Sequence, residues 1–256
     1  MNSATVRTLL VRGMLAGLIA GVLALVVAYL LGEPRVDAAI AFEEAHAHEH
    51  EMATVSRDVQ STAGLATGVL VYGVAFGGIA ALAFSFALGR IGRFGPRATA
   101  ALLAGTAFVA VYLVPFLKYP ANPPSVGEAD TIGKRTALYF LMMLLSVLLA
   151  VAATITGKRL APRLGNWNAT VAAGLGFVVA IGLAYAFLPS VNEVPKGFSA
   201  GLLWQFRLSA ISIQLVLWTA FGLVFGHLAE RGLRPASAAR EREQHEPGAT
   251  AAPAAR

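Results

Sequence analysis

Long apolar runs separated by short charged segments organise this chain of 256 residues. The first run reads TLLVRGMLAGLIAGVLALVVAYLL over residues 8–31, and five more follow at 61–88, 98–117, 136–155, 169–188 and 203–229. Each reaches the roughly 20 residues a helix needs to cross the hydrocarbon of a bilayer. Within lipid a backbone must satisfy its own hydrogen bonds, so runs of this kind read as helices. The pattern predicts an all-α, polytopic membrane helical bundle of six transmembrane helices over residues 1–232. The first run is too long for the 7–15-residue apolar region of a secretion signal and has no clear A-x-A site after it, so it reads as a retained span. Residues 233–256 combine Ala, Pro and charge without apolar periodicity, and this cytoplasmic tail is expected to be disordered.

Within the runs, glycines recur at helical spacing. Gly13, Gly17 and Gly21 lie at i, i+4 and i+8, and Gly64/Gly68 and Gly73/Gly77 repeat the interval. Such stripes let two helix backbones approach closely in lipid, where packing replaces the hydrophobic effect as the driving force.

Charge then orients the bundle. Only 13% of residues are charged and 57% are hydrophobic, against the roughly 25% charged of a soluble domain. Thirteen of the 20 Lys and Arg fall on one side, at Arg7, Arg12, the loops around Arg93 and Arg159, and the tail. The other seven lie in the alternate loops with ten of the 14 acids. Basic residues mark the cytoplasmic side, so both termini are expected in the cytoplasm. The net charge of +6 is accounted for by topology and calls for no nucleic-acid partner.

The outward segments carry the unusual chemistry. Residues 32–60 form a His/Glu-rich loop containing EEAHAHEHE, with Glu43, Glu44, His46, His48 and His50 as candidate metal ligands. Pro34 suits the first turn of a helix on the membrane surface. Continued as a helix, Glu43, His46 and His50 share one face; extended, the three histidines point the same way. Cysteine is absent, so any metal here is held by imidazole and oxygen groups, which suit Zn, Ni, Co and Cu(II). The second outward segment, PFLKYPANPPSVGEADTIGKRT, supplies Asn122, Glu128 and Asp130 as later oxygen ligands at a pore mouth, and the third supplies Asn192 and Glu193. Gln205, Arg207 and Gln214 fall at or inside the sixth run, where polar groups usually face a cavity or a partner. Tyr112, Tyr119 and Trp204 fit an interfacial aromatic belt. Gly127 to Lys134 superficially resembles a phosphate loop, but five residues rather than four separate the glycines and Arg follows the Lys, so no ATP binding is expected. A membrane enzyme would need a nucleophile–base pair, and none is visible. No prosthetic group is expected.

Taken together, GEPRVDAAIAFEEAHAHEH, VPFLKYPANPPSVGEADTIGKRTALY, LPSVNEVPKGF and LLWQFRLSAISIQLVLW resemble the predicted cobalt transporter family CbtA, from the first span through His227. The resemblance implies a bacterial inner-membrane protein for cobalt supply, linked to cobalamin synthesis, with a small single-span, histidine-bearing partner, CbtB. That family is described with about five spans, from which the six counted here depart. The expected function is import of a divalent transition metal, Co²⁺ or else Ni²⁺ or Zn²⁺, captured by the His/Glu loop. A non-transporting metal sensor or scaffold is the alternative.

Overall fold

The computed structural model describes residues 3–46 and 55–245. Helices account for nearly all of them, and no strand occurs among the described residues. They are α1 (Ser3–Val27), α2 (Glu33–His46), the single turn α3 (Arg57–Val59), α4 (Leu65–Ala87), α5 (Pro96–Ala107), the short α6 (Val114–Lys118), α7 (Ile132–Phe187) and α8 (Ala200–His245). The last continues past the predicted end of the sixth span, into the segment expected to lack structure.

Five helical runs are long and apolar enough to cross a membrane: Ser3–His46, Arg57–Ala87, Pro96–Lys118, Ala129–Phe187 and Ala200–Leu233. The hydropathy pattern predicts six. The difference lies in residues 129–187, where the fourth and fifth predicted spans belong to one helical run because the linker TGKRLAPRLGNWN stays helical almost throughout. It is interrupted once, at Gly165, with φ 75° and ψ 161°. That left-handed backbone is a conformation glycine adopts without a side-chain clash. The chain folds back there. A Cβ on Gly157 would lie 3.3 Å from the Cβ of Ala173, and Met142 and Ile181 share one buried cluster. In a straight helix those two residues would stand roughly 58 Å apart.

Prolines shape two other runs. A π-helical turn at Ala28–Gly32 joins α1 to α2 just before Pro34, and a second at Phe108–Leu113 joins α5 to α6 just before Pro115. A proline ring clashes with the carbonyl four residues back, here Leu30 and Val111, which both lie inside the widened turns. α2 is therefore a continuation of the first helix, rather than the separate surface helix that Pro34 suggests.

The centre of the bundle is the antiparallel pair α1 and α4, with α8 against both. Their contact is backbone on backbone. A Cβ on Gly17 would overlap the carbonyl oxygen of Gly73, and one on Gly77 would overlap that of Gly13. Aromatic rings fill the remaining volume: Phe76 meets Trp218 and Phe221 edge-on at 4.5 and 4.9 Å, and Phe84 meets Phe225 at 5.0 Å. Many other large apolar side chains face outward, Phe86 and Phe187 among them, which suits a lipid solvent.

Gly17→Ala is expected to destabilise the protein by about 3 kcal/mol or more, because the added methyl overlaps a backbone atom that cannot step aside. Gly68→Ala, with nothing within 4 Å of its new Cβ, is expected to be neutral or slightly stabilising. Melting of the two purified variants in detergent checks the contrast; equal melting points would contradict the contact.

Candidate functional site

Two opposite ends of the bundle are distinguished by their contacts. At one end Arg12 donates to the carbonyl of Leu228, Arg97 pairs with Glu230 at 2.6 Å and with His227 Nδ1 at 3.3 Å, and Lys158 donates to the carbonyl of Arg90. An arginine only donates, so His227 Nδ1 accepts. The other end gathers α2 and the segments 119–131 and 189–199, the three regions where the sequence concentrates its chemistry.

That second end is a knitted cap. Ala39 of α2 is fully buried against Val126, Phe198 and Leu203, and its carbonyl accepts from the Ser125 hydroxyl at 3.0 Å. Phe42 meets Phe198 edge-on at 5.0 Å. Tyr119 donates to the carbonyl of Pro189 at 2.8 Å, and Lys118 to that of Tyr185 at 2.8 Å. Arg57 binds both Glu33 and Asp37, fastening α3 to the side of α2. None of Arg57, Glu33, Asp37 or Arg135 stands out in the sequence, because an ion pair across 20 or more residues leaves no spacing signature. Their one signal is that charges of both signs occur beside the spans.

Several predicted residues meet in this cap. Arg207 reaches from α8 to Asn122 Oδ1 at 3.0 Å and to the carbonyl of Ala121 at 3.4 Å. It is a fastener of the second outward segment. Glu193 Oε2 accepts from the backbone N–H of Glu128 at 3.0 Å and from the Thr131 hydroxyl at 2.8 Å, with Arg135 Nε 3.3 Å away. Arg135 also donates to the carbonyl of Glu128. The Glu128 backbone hydrogen bond, aided by Thr131 and the charges of Arg135 and Lys134, holds the Glu193 carboxyl below its ordinary value of 4.5, against a partial desolvation.

Other predicted residues are not drawn together. Asp130, Asn192 and Gln205 are exposed; the Gln205 carbonyl accepts from Ser209. Gln214 lies deeper, its Oε1 accepting from Trp218 Nε1 at 3.2 Å. Trp204 is well exposed, as an interfacial belt requires, whereas Tyr119 is buried in the cap. Tyr112 also departs from the belt: its hydroxyl is buried in the bundle.

Of the proposed metal ligands, Glu43, Glu44 and His46 stand exposed on the last turns of α2, and Glu43 and His46 share a face at i, i+3. His48 and His50 lie outside the described residues. His46 Nδ1 is 2.8 Å from the Phe42 carbonyl, and its ring stacks on Phe42 at 4.2 Å. A carbonyl only accepts, so Nδ1 is the donor here, and Nε2 is the ring nitrogen left for another partner. This is the second-sphere arrangement that orients metal-binding imidazoles. No group of three or more potential ligands converges among the described residues.

The family described as probable cobalt transporter subunit (CbtA) matches residues 6–230, and the chain belongs to it. No curated protein and no solved structure matches the chain.

Glu193 is expected to tie the cap in a pH-dependent way. Its carboxyl is depressed in the folded state, so its stabilisation is present above the unfolded carboxylate range and is lost only as pH falls through the lower folded value. Glu193→Gln is expected to speed amide exchange in residues 119–131 at pH 7, and to remove that residue's share of acid sensitivity below 4.5. Hydrogen-exchange mass spectrometry and melting points from pH 7 to 3 check both outcomes.

Proposed function

We propose that this chain is the membrane-embedded component that imports a divalent transition-metal ion, Co²⁺, across the bacterial inner membrane. Membership of the cobalt transporter family carries the reading. It crosses the membrane six times with both termini in the cytoplasm. Support for six crossings comes from the fold-back at Gly165 and from the pairing of α1 and α8 at both ends, Arg12 with Leu228 and Leu31 with Ser209. The end richer in Lys and Arg is the cytoplasmic one by the positive-inside rule.

On this reading the outward loop collects the hydrated ion. His46, His48 and His50 supply imidazole nitrogen, and Glu43 and Glu44 supply carboxylate oxygen. The His46 Nδ1 contact to the Phe42 carbonyl, which leaves Nε2 as the nitrogen for a metal, supports that role. Asn122, Glu128, Asp130, Asn192 and Glu193 form the pore mouth, and Gln205, Arg207 and Gln214 border the path. Ligand type alone favours Cu²⁺ over Co²⁺, so geometry or metal supply sets the cargo. A small single-span partner of the CbtB kind completes the transporter. The chain is not an enzyme, binds no ATP, and holds no prosthetic group.

A second reading is a metal sensor that binds without transport. It is favoured by the closed cap, in which Arg207 and Glu193 are already spent on internal bonds.

Radiolabelled Co²⁺ accumulation in cells expressing the chain, with and without the partner, separates the two. Transport is expected to depend on the chain and to fall several-fold at low cobalt in the His46/His48/His50→Ala variant. Capture is expected to weaken in acid, because a protonated imidazole has no lone pair to give a metal. Unchanged accumulation despite normal membrane expression would leave the sensor.

A further inference from the structure

At the end of the bundle opposite the cap, two basic loops are brought together. The loop after α4 carries Arg90 and Arg93, and the turn at Gly165 is flanked by Lys158, Arg159, Arg163 and Trp167. Lys158 Nζ donates to the carbonyl of Arg90. Among the described residues, this is the polar bond that ties the tip of the α7 hairpin to the rest of the bundle. No Asp or Glu occurs between Asp58 and Glu128 or between Asp130 and Glu193, so neither loop has an acid of its own. Glu230 of α8 is paired with Arg97. The positive-inside rule asks only that cations lie on this side. It does not ask that two loops of like charge be joined, which is unfavourable unless an anion stands with them.

The cations at this end fall into two groups. Arg12 and Arg97 are spent on Leu228, Glu230 and His227. Arg93, Arg159 and Arg163 are exposed and make no hydrogen bond or ion pair among the described residues. Arg90 is intermediate. Its guanidinium turns back along α4 to the Phe86 carbonyl at 2.7 Å and lies 4.8 Å from the centre of the Phe86 ring. Phe86 is 71% exposed on a helix apolar enough to span a membrane, so it faces lipid. The guanidinium resting on it is held at the boundary of headgroup and hydrocarbon. Trp167, four residues after Arg163 and 79% exposed, is the kind of side chain that settles at the same level.

We propose that these two loops form a seat for an anionic phospholipid. Its phosphate accepts from Arg90 and Lys158, each of which has N–H groups left over after its bond within the chain. Arg93, Arg159 and Arg163 supply the surrounding positive field that favours a headgroup of net negative charge. The acyl chains run along Phe86, and Trp167 borders the headgroup. A free phosphate would gain the same hydrogen bonds but nothing from Phe86 or Trp167, so the occupant is a lipid. By touching both loops the headgroup fastens the hairpin tip a second time, and binding of this kind stabilises the folded chain. The proposal concerns lipid alone and holds whether or not the chain transports metal.

The test titrates the purified full-length chain in detergent with phosphatidylglycerol or phosphatidylcholine. Native mass spectrometry counts bound lipid, and melting is followed in parallel. Phosphatidylglycerol is expected to bind about fivefold more tightly or better and to raise the melting temperature, since the choline cation offsets the phosphate of the other lipid. The triple variant Arg93→Gln/Arg159→Gln/Arg163→Gln removes no bond within the described residues. It is expected to lower phosphatidylglycerol affinity about threefold or more with lipid-free melting unchanged. Lys158→Gln is expected to weaken binding and abolish the melting shift; should it fail to fold, the triple variant decides. Arg7→Gln, at the same end but on α1, is expected to change neither. Equal affinity for the two lipids, or a loss in Arg7→Gln as large as in the triple variant, overturns the seat and leaves diffuse surface charge. Displacement of the lipid by millimolar inorganic phosphate also overturns it, in favour of a free-phosphate site.

Discussion

The backbone contact between α1 and α4 is the constraint from which the other arrangements follow. Gly13 and Gly17 on one helix lie against Gly73 and Gly77 on the other so closely that no side chain fits between them. In lipid, apolar side chains gain nothing by leaving the solvent for one another, so helices hold together by close packing and by polar bonds. Two helices this near make a rigid wall. α8 packs on it through Phe76, Trp218, Phe221 and Phe225, and α5 in turn lies on α8, where a Cβ on Gly222 would meet Ala104 at 2.9 Å. The arms of α7 join later, through Val114, Tyr119, Met142 and Ile181, and expose more of their surface to lipid.

This hierarchy divides the molecule into a tight pair of layers and a looser hairpin, with the π turn of residues 108–113 between them. The hairpin is attached through polar bonds near the cap: Lys118 to Tyr185, Tyr185 to Val114, and Glu193 to Glu128 and Thr131. The polar bonds add to the apolar cluster of Val114, Tyr119, Met142 and Ile181 that already joins the hairpin to α6.

Polar chemistry is distributed by cost. The ion pairs of Arg57, Arg97 and Arg135 lie at the two ends, where water can share the burden, and deeper in α8 the polar contact between Gln214 and Trp218 uses neutral groups alone. Arg207 is the intermediate case. It begins inside α8 and ends at Asn122 in the cap, so its charge is carried outward along an apolar stem. Its role as a fastener could not be read from position in the run, which is equally consistent with a headgroup contact.

Much of this protein is legible in its sequence because lipid leaves few choices. The length of the apolar runs, the basic loops and the glycine intervals imply helices, their approximate limits and a stripe for close approach, since each rests on local spacing. The number of helical runs was not legible to the same degree: hydropathy sees two spans in residues 132–187, and only the backbone reveals one helical run that turns back at Gly165. The outward residues show the same division. Their types mark the end of the bundle where the chemistry lies, and the phrases around them resemble one family. Which of them meet was settled by the tertiary structure, because Arg135 with Glu193, Arg207 with Asn122 and Arg57 with Glu33 are joined across loops whose path depends on how the helices pack. Local spacing writes helices; long-range packing decides which side chains share a site.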